Sequence, residues 1–377
     1  MKILYTNFQQ TDGGGHVTYI MSLIKELHNK VNVSVATPGS SRLFKYSSAT
    51  PNVMVHDQRF TSRIQNMIPE IKALRSLIHN NKYDIIHING SADHRHIMFA
   101  CMGIKNRPKL VFTKHNDHSV SSLGNRLRAL WGTDYSIAVS DYVKSLMLDS
   151  PYRRKPLTTI RHGIDTSYFS PVEQQEKNNL RRLLFGEYHN DLIIFGSSGG
   201  TDYDKGWLDL VAALSMLPSE TKRKFRVLVA GSMPNKEKMA HVNNLNMQDY
   251  VVFPGLVDDV RPLLAACDIG FVLSYREALS YACREVMALG LPTLISNVGG
   301  LPENVSDGKD GWIVPARSPY AIVPLLKKIA NEPELILSMG NSAREKAVTD
   351  FAIRPFVDNT FAVYESVMAS GKGIITP

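Results

Sequence analysis

Residues 2–38, KILYTNFQQTDGGGHVTYIMSLIKELHNKVNVSVATP, follow the order strand, glycine-rich turn, helix, strand. The first stretch is a short apolar run, the middle has apolar residues at helical spacing, and the last alternates with β-branched residues. In such a βαβ unit the two strands lie parallel, because the helix carries the chain back along the sheet. The segment therefore predicts an α/β domain whose parallel sheet is covered by helices on both faces.

The same alternation continues along the chain and is interrupted once. The interruption, near residues 165–172, is rich in proline and polar residues, and a second alternating series begins at 191–200. The further predicted helices are 62–81, about 122–131, 206–217, 259–266 and 281–289, with mostly helix over 318–370. The further predicted strands are 83–89, 109–115, 135–140, 225–231, 250–255, 269–274 and 292–296. Two Rossmann-like domains in tandem are expected, with ligands at the carboxyl ends of their strands.

Composition narrows the class of protein. A length of 377 residues with 44% hydrophobic content is typical of a soluble globular protein of two domains. No apolar run approaches the roughly 20 residues that span a bilayer, and the N-terminus lacks the pattern of a signal peptide. Cys101, Cys267 and Cys283 form no CxxC pair, which suits a reducing cytoplasm and disfavours a structural zinc site.

The net charge of +8 is unevenly distributed. Residues 1–165 contain 22 Lys and Arg against 11 Asp and Glu. Such a basic half could face an anionic membrane, nucleic acid or an anionic acceptor, or could simply keep the surface soluble. It has no regularly interleaved basic and aromatic residues and no recognition motif, so nucleic-acid binding is disfavoured.

The stretch SYREALSYACREVMALGLPTLIS, residues 274–296, places Glu277 and Glu285 eight positions apart. Ser280 is predicted to be the N-cap of the helix that follows, which leaves Glu277 in the entry loop and Glu285 on the second turn. The helix N-terminus between them favours an anion. Carboxylates that hold hydroxyl groups on either side of a phosphate would suit a sugar nucleotide, and two solvated glutamates are the alternative.

Each predicted domain has a glycine-rich turn after its first strand. DGGGH (12–16) and SSGGTDYDKGW (197–207) allow backbone amides to approach a phosphate or a sugar closely. The first turn is not GxGxxG, which disfavours a dinucleotide cofactor. Lys205 in the second turn is well placed to meet a diphosphate. Asp202 and Asp204 could hold a metal but are more simply loop or N-cap residues.

Five histidines are gathered in HINGSADHRH (87–96) and KHNDH (114–118). Their spacing fits no compact set of metal ligands. Imidazoles also form hydrogen bonds to polyhydroxylated ligands, so ligand contacts are expected in place of a metal. The five residues are His87, His94, His96, His115 and His118.

Together these features resemble the retaining glycosyltransferases of family four, which have the GT-B fold. The resemblance covers nearly the whole chain and depends on Glu-x7-Glu followed by VMALGLPTLISNVGGLPE and DGWIV, on RHGIDTSYFSP, and on Lys205-Gly206. It implies an acceptor domain over 1–168, a donor domain over 169–350, and a C-terminal helix at about 351–377 that crosses back to the N-terminal domain. The two parallel sheets would face each other across a cleft.

The resemblance also assigns roles to residues of this chain. Glu285 would hold the donor ribose, Glu277 the hydroxyl groups of the donor sugar, and Lys205 the diphosphate. His115 would lie beside the donor sugar, and Leu256 near the base. The residues implied to approach the donor through the backbone are Gly14, Gly15, Gly199, Gly200, Ala278, Leu279 and Ser280.

One position departs from the family pattern. An arginine usually stands five or six positions before the lysine, where this chain has Gly199 and Gly200. Backbone amides of that turn, or Arg276, would have to replace its charge. The departure motivates an alternative function, a non-catalytic sugar-nucleotide binder of the same fold.

The activity implied by the resemblance is transfer, with retention, from a nucleotide-diphosphate sugar to a hydroxyl group of a glycan or lipid-linked acceptor. UDP-sugar is the expected donor, and bacterial surface polysaccharide or lipopolysaccharide the expected product. The leaving diphosphate would act as base, without an enzyme nucleophile and without a metal cofactor. Lys205, Glu277 and His115 would form the catalytic set.

Acceptor choice is expected to depend on loops at 40–62 and 90–97. The segment 59–82 combines helical apolar spacing with five cations and a single acidic residue, Glu70, which predicts salt-sensitive attachment to an anionic membrane. The protein would then work in the cytoplasm, at the inner face of the cell membrane. An ordinary amphipathic helix packed on the sheet is the alternative. The five cations are Arg59, Arg63, Lys72, Arg75 and Lys82.

Overall fold

The computed structural model describes residues 1–11, 14–186 and 191–370, which form two compact α/β units. Unit 1 comprises Met1–Gly163 together with the described chain from Ile353 onward, and unit 2 comprises Ile164–Ala352. Within the described ranges, no helix is both long and apolar enough to cross a membrane.

Unit 1 is built on a seven-stranded parallel sheet. Its strands are β1 (Lys2–Thr6), β2 (Asn32–Thr37), β3 (Val53–Asp57), β4 (Ile85–Ile88), β5 (Lys109–Lys114), β6 (Tyr135–Ala138) and β7 (Leu157–Thr159). Its helices are α1 (Gly14–Leu27), α2 (Arg42–Ser48), α3 (Ile64–Asn81), α4 (Ser91–Cys101), α5 (Leu123–Trp131), α6 (Asp141–Leu148) and the last helix of the chain. The strand order is β3-β2-β1-β4-β5-β6-β7, and β4 is buried throughout, as a strand covered on both faces should be.

Unit 2 repeats the design with six strands. The first helix, α7, is Gln174–Phe185, and the strands are β8 (Ile193–Ser197), β9 (Phe225–Val229), β10 (Val251–Val252), β11 (Ile269–Val272), β12 (Thr293–Ser296) and β13 (Gly311–Val314). The other helices are α8 (Trp207–Ser215), α9 (Ser219–Lys222), α10 (Lys236–Asn244), α11 (Arg261–Ala265), α12 (Tyr281–Ala288), α13 (Pro319–Asn331) and α14 (Glu334–Asp350). The strand order is β10-β9-β8-β11-β12-β13, all parallel, so the predicted pair of Rossmann-like sheets is confirmed.

The last helix, α15 (Ile353–Ala369), packs on unit 1 although unit 2 precedes it in sequence. Its Phe356 ring lies 4.9 Å from the ring of Tyr19, measured between centroids. The hydroxyl group of Tyr364 lies 2.5 Å from Nδ1 of His87 on β4. The predicted return of the C-terminal helix is confirmed. Of the predicted range 351–377, residues 371–377 lie outside the described part of the chain.

Two segments predicted as loops contain regular structure, so those predictions were wrong. The segment 40–62 includes α2 and β3, and α2 begins where the Ser41 hydroxyl accepts a hydrogen bond from the Phe44 amide at 3.0 Å. The segment 90–97 lies almost entirely in α4. The Asp93 carboxylate caps that helix by accepting a hydrogen bond from the Gly90 amide. Both caps are formed by residues close together in sequence, so they could have been recognised from the sequence.

The strand predicted over 250–255 is shorter than expected, since β10 contains only Val251 and Val252. Pro254 cannot donate a ladder hydrogen bond, and Gly255 has a positive φ of 82°. The chain therefore leaves the sheet after two residues and continues as a loop at the carboxyl edge of unit 2.

Candidate functional site

The carboxyl edge of unit 2 has a topological switch point between β8 and β11, where the strand order reverses. The loops that follow these two strands meet, because the Tyr275 amide donates a hydrogen bond to the carbonyl oxygen of Asp204 at 2.7 Å. In open α/β sheets, crevices at such points are where ligands bind. The predicted donor residues Lys205 and Glu277 lie on these two loops.

Lys205 and Glu277 form an ion pair at the switch point. Nζ of Lys205 lies 3.6 Å from Oε2 of Glu277, and both side chains are partly exposed. The Glu277 carbonyl oxygen accepts a hydrogen bond from the Gly300 amide at 3.1 Å, which joins this loop to the chain after β12. A cation and a carboxylate thus stand within reach of one ligand, 72 residues apart in sequence.

Gly206 determines where Lys205 stands. Its φ is +66°, and a Cβ added there would lie 1.8 Å from the carbonyl oxygen of Leu273. Any other residue would have to displace the loop after β11. The close approach places the turn Tyr203–Lys205 directly against that loop, immediately before α8.

The start of α12 agrees with the prediction. Ser280 is the N-cap, and its hydroxyl accepts a hydrogen bond from the Cys283 amide at 3.3 Å. Ser280 itself has φ of 91°, an uncommon value for a residue with a side chain. Ala278 and Leu279, the other two residues expected to approach the donor through their backbone, are buried in the same short loop.

Arg284 and Asn304 brace this loop, and the sequence reasoning missed both. Arg284 is 1% exposed, and its Nε donates to the Asn304 side-chain oxygen at 2.8 Å. The Asn304 amide nitrogen then donates to the carbonyl oxygen of Leu279 at 2.6 Å. The charge of Arg284 among the otherwise apolar buried residues of α12 was the sequence feature that could have identified it. Its partner lies 20 residues away, so spacing could not identify it.

Glu285, on α12, contacts the beginning of the segment that follows β8. The Ser198 hydroxyl, just after β8, donates to Oε2 of Glu285 at 3.4 Å. Burial raises the pKa of Glu285 from 4.5 to about 7, and the Ser198 hydrogen bond opposes this shift. No ion pair joins Glu285 to a cation in the described part of the chain, and such a half-buried carboxyl group is well suited to accept hydrogen bonds from a ligand diol.

The glycine turn after β8 lies against the ends of the neighbouring strands. A Cβ added to Gly231, after β9, would lie 2.7 Å from Cα of Gly200, and the Gly231 amide donates to the Gly255 carbonyl at 3.1 Å. Gly199 and Gly200 therefore sit where three strand ends converge. Leu256, next to Gly255, is 74% exposed. Gly231 and Gly255 were not among the predicted site residues.

In unit 1, His115 follows β5 and forms a cluster with two other rings. Its Nε2 lies 2.9 Å from the side-chain oxygen of Asn89, and its ring centroid lies 4.4 Å from that of His16 and 4.5 Å from that of Tyr19. Burial lowers the pKa of His16 to about 4 and holds the pKa of His115 well below its usual value, helped by the neighbouring histidines. Both imidazoles are therefore neutral at pH 7.

Gly14 and Gly15 are the first residues of α1, directly before His16. Gly14 has φ of +46°, and the space where its Cβ would lie is open. The turn DGGGH was predicted to approach a ligand, and its Asp12 and Gly13 lie outside the described residues.

The expected ligand contacts are wrong for two of the five histidines. His87 is buried with its two nitrogens near the hydroxyl groups of Tyr364 and Thr113. His96 is also buried, and its nitrogens contact a backbone carbonyl and Glu70. His87 holds α15 on the sheet, and His96 joins α4 to α3. His94 is buried as well, with Nε2 2.9 Å from the carbonyl oxygen of Gly132, while His118 is exposed.

Within the described residues, no group of three or more His, Cys, Asp or Glu side chains is arranged to hold a metal ion. Asp202 has an exposed side chain that lies 3.9 Å from Nζ of Lys238, and Asp204 forms part of the turn before α8. Both residues therefore have the structural positions that the sequence suggested.

Comparison with known proteins identifies both halves of the chain. The model of the family Glycosyltransferase Family 4 matches residues 13–168, and that of Glycosyl transferases group 1 matches residues 186–346. The curated N-acetyl-alpha-D-glucosaminyl L-malate synthase of Bacillus anthracis is 26% identical over 345 residues, which cover 87% of this chain and 88% of that protein.

Solved structures have the same fold. Anabaena HepE in complex with UDP matches with a TM-score of 0.85 at 18% identity, over 97% of this chain and all of that one. WaaG, a glycosyltransferase involved in lipopolysaccharide biosynthesis, matches with a TM-score of 0.73 at 16% identity, over 98% of this chain and all of that one. Together with the two sheets and the family matches, these findings show that the chain is a glycosyltransferase of family four with the GT-B fold.

Proposed function

We propose that this enzyme transfers a sugar, with retention of configuration, from a UDP-sugar to a hydroxyl group of a glycan or lipid-linked acceptor. The observation that supports this most directly is the switch point of unit 2, where Lys205, Glu277 and Glu285 line one edge. HepE was solved with UDP and with UDP-glucose, which favours uridine as the base. We further propose a role in bacterial surface polysaccharide or lipopolysaccharide synthesis, as for WaaG.

In this proposal residues 169–350 form the donor domain. Glu285 accepts hydrogen bonds from the ribose diol, Lys205 contacts the diphosphate, and Glu277 contacts the sugar hydroxyl groups. The amides of Ala278, Leu279 and Ser280, at the start of α12, approach the phosphate or sugar, and Leu256 lies near the base. The Lys205–Glu277 ion pair separates when the donor enters, so each charge exchanges one partner for another.

The proposed chemistry is a front-side displacement. The bond between the anomeric carbon and the diphosphate oxygen breaks, and the acceptor oxygen forms the new bond on the same face. The acceptor proton passes to the departing diphosphate, which needs no enzyme nucleophile. Lys205 stabilises the negative charge that develops on the leaving group. Arg276, exposed beside Glu277, is proposed to supply the charge that the family arginine would provide at Gly199 or Gly200.

Metal independence is part of the same proposal. A lysine and the N-terminus of α12 meet the diphosphate charge, and the Asp202–Asp204 segment is a structural turn. Residues 1–168 with the last helix are proposed as the acceptor domain, in which His115 and the Gly14–Gly15 turn contribute to the sugar site. As a neutral imidazole, His115 can donate one hydrogen bond and accept another.

Peripheral membrane attachment at the cytoplasmic face is proposed for unit 1. Arg63 and Lys72 of the segment 59–82 are exposed, as are Ile64 and Ile68 on the first turns of α3. Arg75 is not available to a membrane, because it donates to the carbonyl oxygens of Ala100 and Met102. The remaining cations and isoleucines combine positive charge with apolar surface.

A second surface of unit 1 has the same character. Arg153 and Arg154 are exposed near Leu130 and Trp131, which end α5. Sedimentation with anionic vesicles at low and high salt tests attachment. Loss of attachment in an Arg63→Gln, Lys72→Gln double variant assigns it to the segment 59–82, and loss in an Arg153→Gln, Arg154→Gln double variant assigns it to the second surface. If the protein does not sediment with vesicles at either salt concentration, membrane attachment is contradicted, and the proposed donor site is not affected by that result.

The decisive experiment is UDP release from a panel of UDP-sugars, with glycan and lipid-linked hydroxyl acceptors. Lys327→Ala, an exposed lysine on α13, serves as the matched control for Lys205→Ala. Acceptor-dependent UDP release that Lys205→Ala abolishes supports the enzyme. UDP binding without release under any acceptor would favour the non-catalytic binder that the missing arginine suggests.

A further inference from the structure

Unit 1 contains a cavity of about 260 Å³ beside the carboxyl end of β5. It lies next to the His115 cluster, and the proposed function does not account for its charges. The residues that line it and carry the argument are His94, Lys114, His115, His118, Asn125 and Arg128. Lys114 and Arg128 carry the positive charge of this cavity, while burial lowers the pKa of His94 to about 3 and holds the pKa of His115 well below its usual value.

Lys114 is the last residue of β5 and is only 5% exposed. Its Nζ donates a hydrogen bond to the side-chain oxygen of Asn116, a neutral group. The carboxylate of Asp117 acts on it electrostatically, but no ion pair within the described chain joins Lys114 to a carboxylate. A buried ammonium group has lost water, and a carboxylate that acts on it only through space offsets that loss in part.

Arg128 on α5 adds a second positive charge to the same cavity. Its guanidinium donates to the side-chain oxygen of Asn125, again a neutral partner. The pKa of Lys114 is lowered to about 8, mainly by burial; Asp117 opposes this shift, and Arg128 adds a smaller contribution to it. Two cations that repel each other across one small cavity are stabilised together by a single anion between them.

His94 also lines this cavity, and its ring is held in one orientation. Its Nε2 lies beside two oxygens, the nearer being the Gly132 carbonyl, which can only accept, so Nε2 carries the proton. Nδ1 is then a bare acceptor, and it is buried without a hydrogen-bond partner in the described structure. Nδ1 itself is not accessible, so the charges of Lys114 and Arg128 define what this cavity can hold.

We propose that this cavity binds the acceptor, and that the acceptor carries a compact anion, a phosphate or a carboxylate, held by Lys114 and Arg128. The inference depends on the proposed function for the identity of the molecule as an acceptor. It goes further by naming the chemical class of that acceptor. A neutral glycan would add no negative charge to the two cations of the cavity.

Calorimetric titration of the full chain at low ionic strength tests the proposal. The probes are glycerol 3-phosphate, glycerate and glycerol, and a preference between the first two identifies the anion. We expect at least one anion to bind and glycerol not to bind. Lys114→Met and Arg128→Gln should each weaken binding of that anion about tenfold or more. Lys105→Met, an exposed cation before β5, should not.

Two measurements keep the outcome clear. Thermal unfolding verifies that each variant is folded, and Lys114→Met keeps side-chain length in case Arg128→Gln disturbs α5. UDP titration of the same preparations tests the donor site separately. If UDP binds but no anion does, or if anion binding ignores both variants, the acceptor inference is overturned and the proposed function stands. If UDP fails to bind, the proposed function fails whatever the anions do.

Discussion

The carboxyl edges of the two sheets differ in how their charged side chains are compensated. In unit 2, Lys205 and Glu277 are partly exposed and lie 3.6 Å apart, so each charge is compensated before any ligand arrives. In unit 1, Lys114 and Arg128 face one cavity with neutral amide oxygens as their hydrogen-bond partners. A paired and hydrated site is compatible with a stable fold. The buried Lys114 ammonium beside the partly buried Arg128 guanidinium lowers stability, and a bound anion would offset this cost. Binding of an anion should therefore stabilise unit 1.

The largest expected effect is on catalysis through unit 2. Lys205→Ala should lower turnover on the order of 100-fold or more, because it removes positive charge where the leaving group develops negative charge. Initial rates of UDP release measure the loss, with Lys327→Ala as control. A loss below threefold would show that another cation stabilises the leaving group, and Arg276 would be the first residue to test.

A smaller effect is expected on donor binding. Glu285→Gln should weaken UDP about tenfold, since a charge-assisted hydrogen bond to the ribose diol becomes a neutral one. Because the pKa of Glu285 is raised to about 7, the wild-type carboxyl group is largely protonated at pH 6 and ionised at pH 8.

The affinity ratio between wild type and Glu285→Gln should therefore grow from pH 6 to pH 8. Titration of UDP itself is common to both proteins and cancels in this ratio. A ratio that stays constant between these pH values would show that Glu285 does not contact the nucleotide in its ionised form.

The brace behind the switch point should matter for stability. Asn304→Ala removes the acceptor of the Arg284 Nε proton and the donor to the Leu279 carbonyl, both buried. A loss of about 1–3 kcal/mol in the free energy of unfolding is expected. UDP affinity should fall as well, because the loop of Leu279 and Ser280 loosens. Denaturant unfolding and UDP titration measure the two effects. Unchanged UDP affinity would separate the brace from the donor site.

Lys114 gives the most direct test of the difference in charge compensation between the two units. Its pKa is lowered, so the folded state binds the proton less tightly than the unfolded state, and the charged form destabilises the fold below about pH 8. Lys114→Met should raise the melting temperature by a few degrees at pH 7, and less at pH 9.5 where the wild-type ammonium is mostly neutral. Lys205→Ala is the matched control and should change little. A lower melting temperature for Lys114→Met at pH 7 would contradict the account of unit 1.

The smallest expected effect is that of metal removal, which should leave turnover unchanged. Lys205 and the N-terminus of α12 meet the diphosphate in this proposal. Initial rates are compared before and after treatment with EDTA. Activity that disappears in EDTA and returns with Mn²⁺ or Mg²⁺ would transfer the charge-neutralising role to a metal.

Much of this architecture could be predicted, because the relevant signals are local. Helical spacing predicted α3, and a single serine predicted the start of α12, since a cap is satisfied within three residues. The glycine turn and Lys205 follow the same logic, because a strand, a turn and a helix start are neighbours in sequence. The segments 40–62 and 90–97 were misjudged where short elements have weak periodicity.

What the sequence by itself determined is thus the alternation of strands and helices, the glycine turns, and the residue types available to the proposed sugar-nucleotide site. Only the tertiary structure decided which of them meet. Strand order brings Lys205 to Glu277 and encloses Lys114 with Arg128, and burial makes His87 and His96 structural while it raises the pKa of Glu285. The reason is physical: periodicity and caps depend on neighbours within a turn or two, whereas contacts and desolvation depend on residues that are distant in sequence.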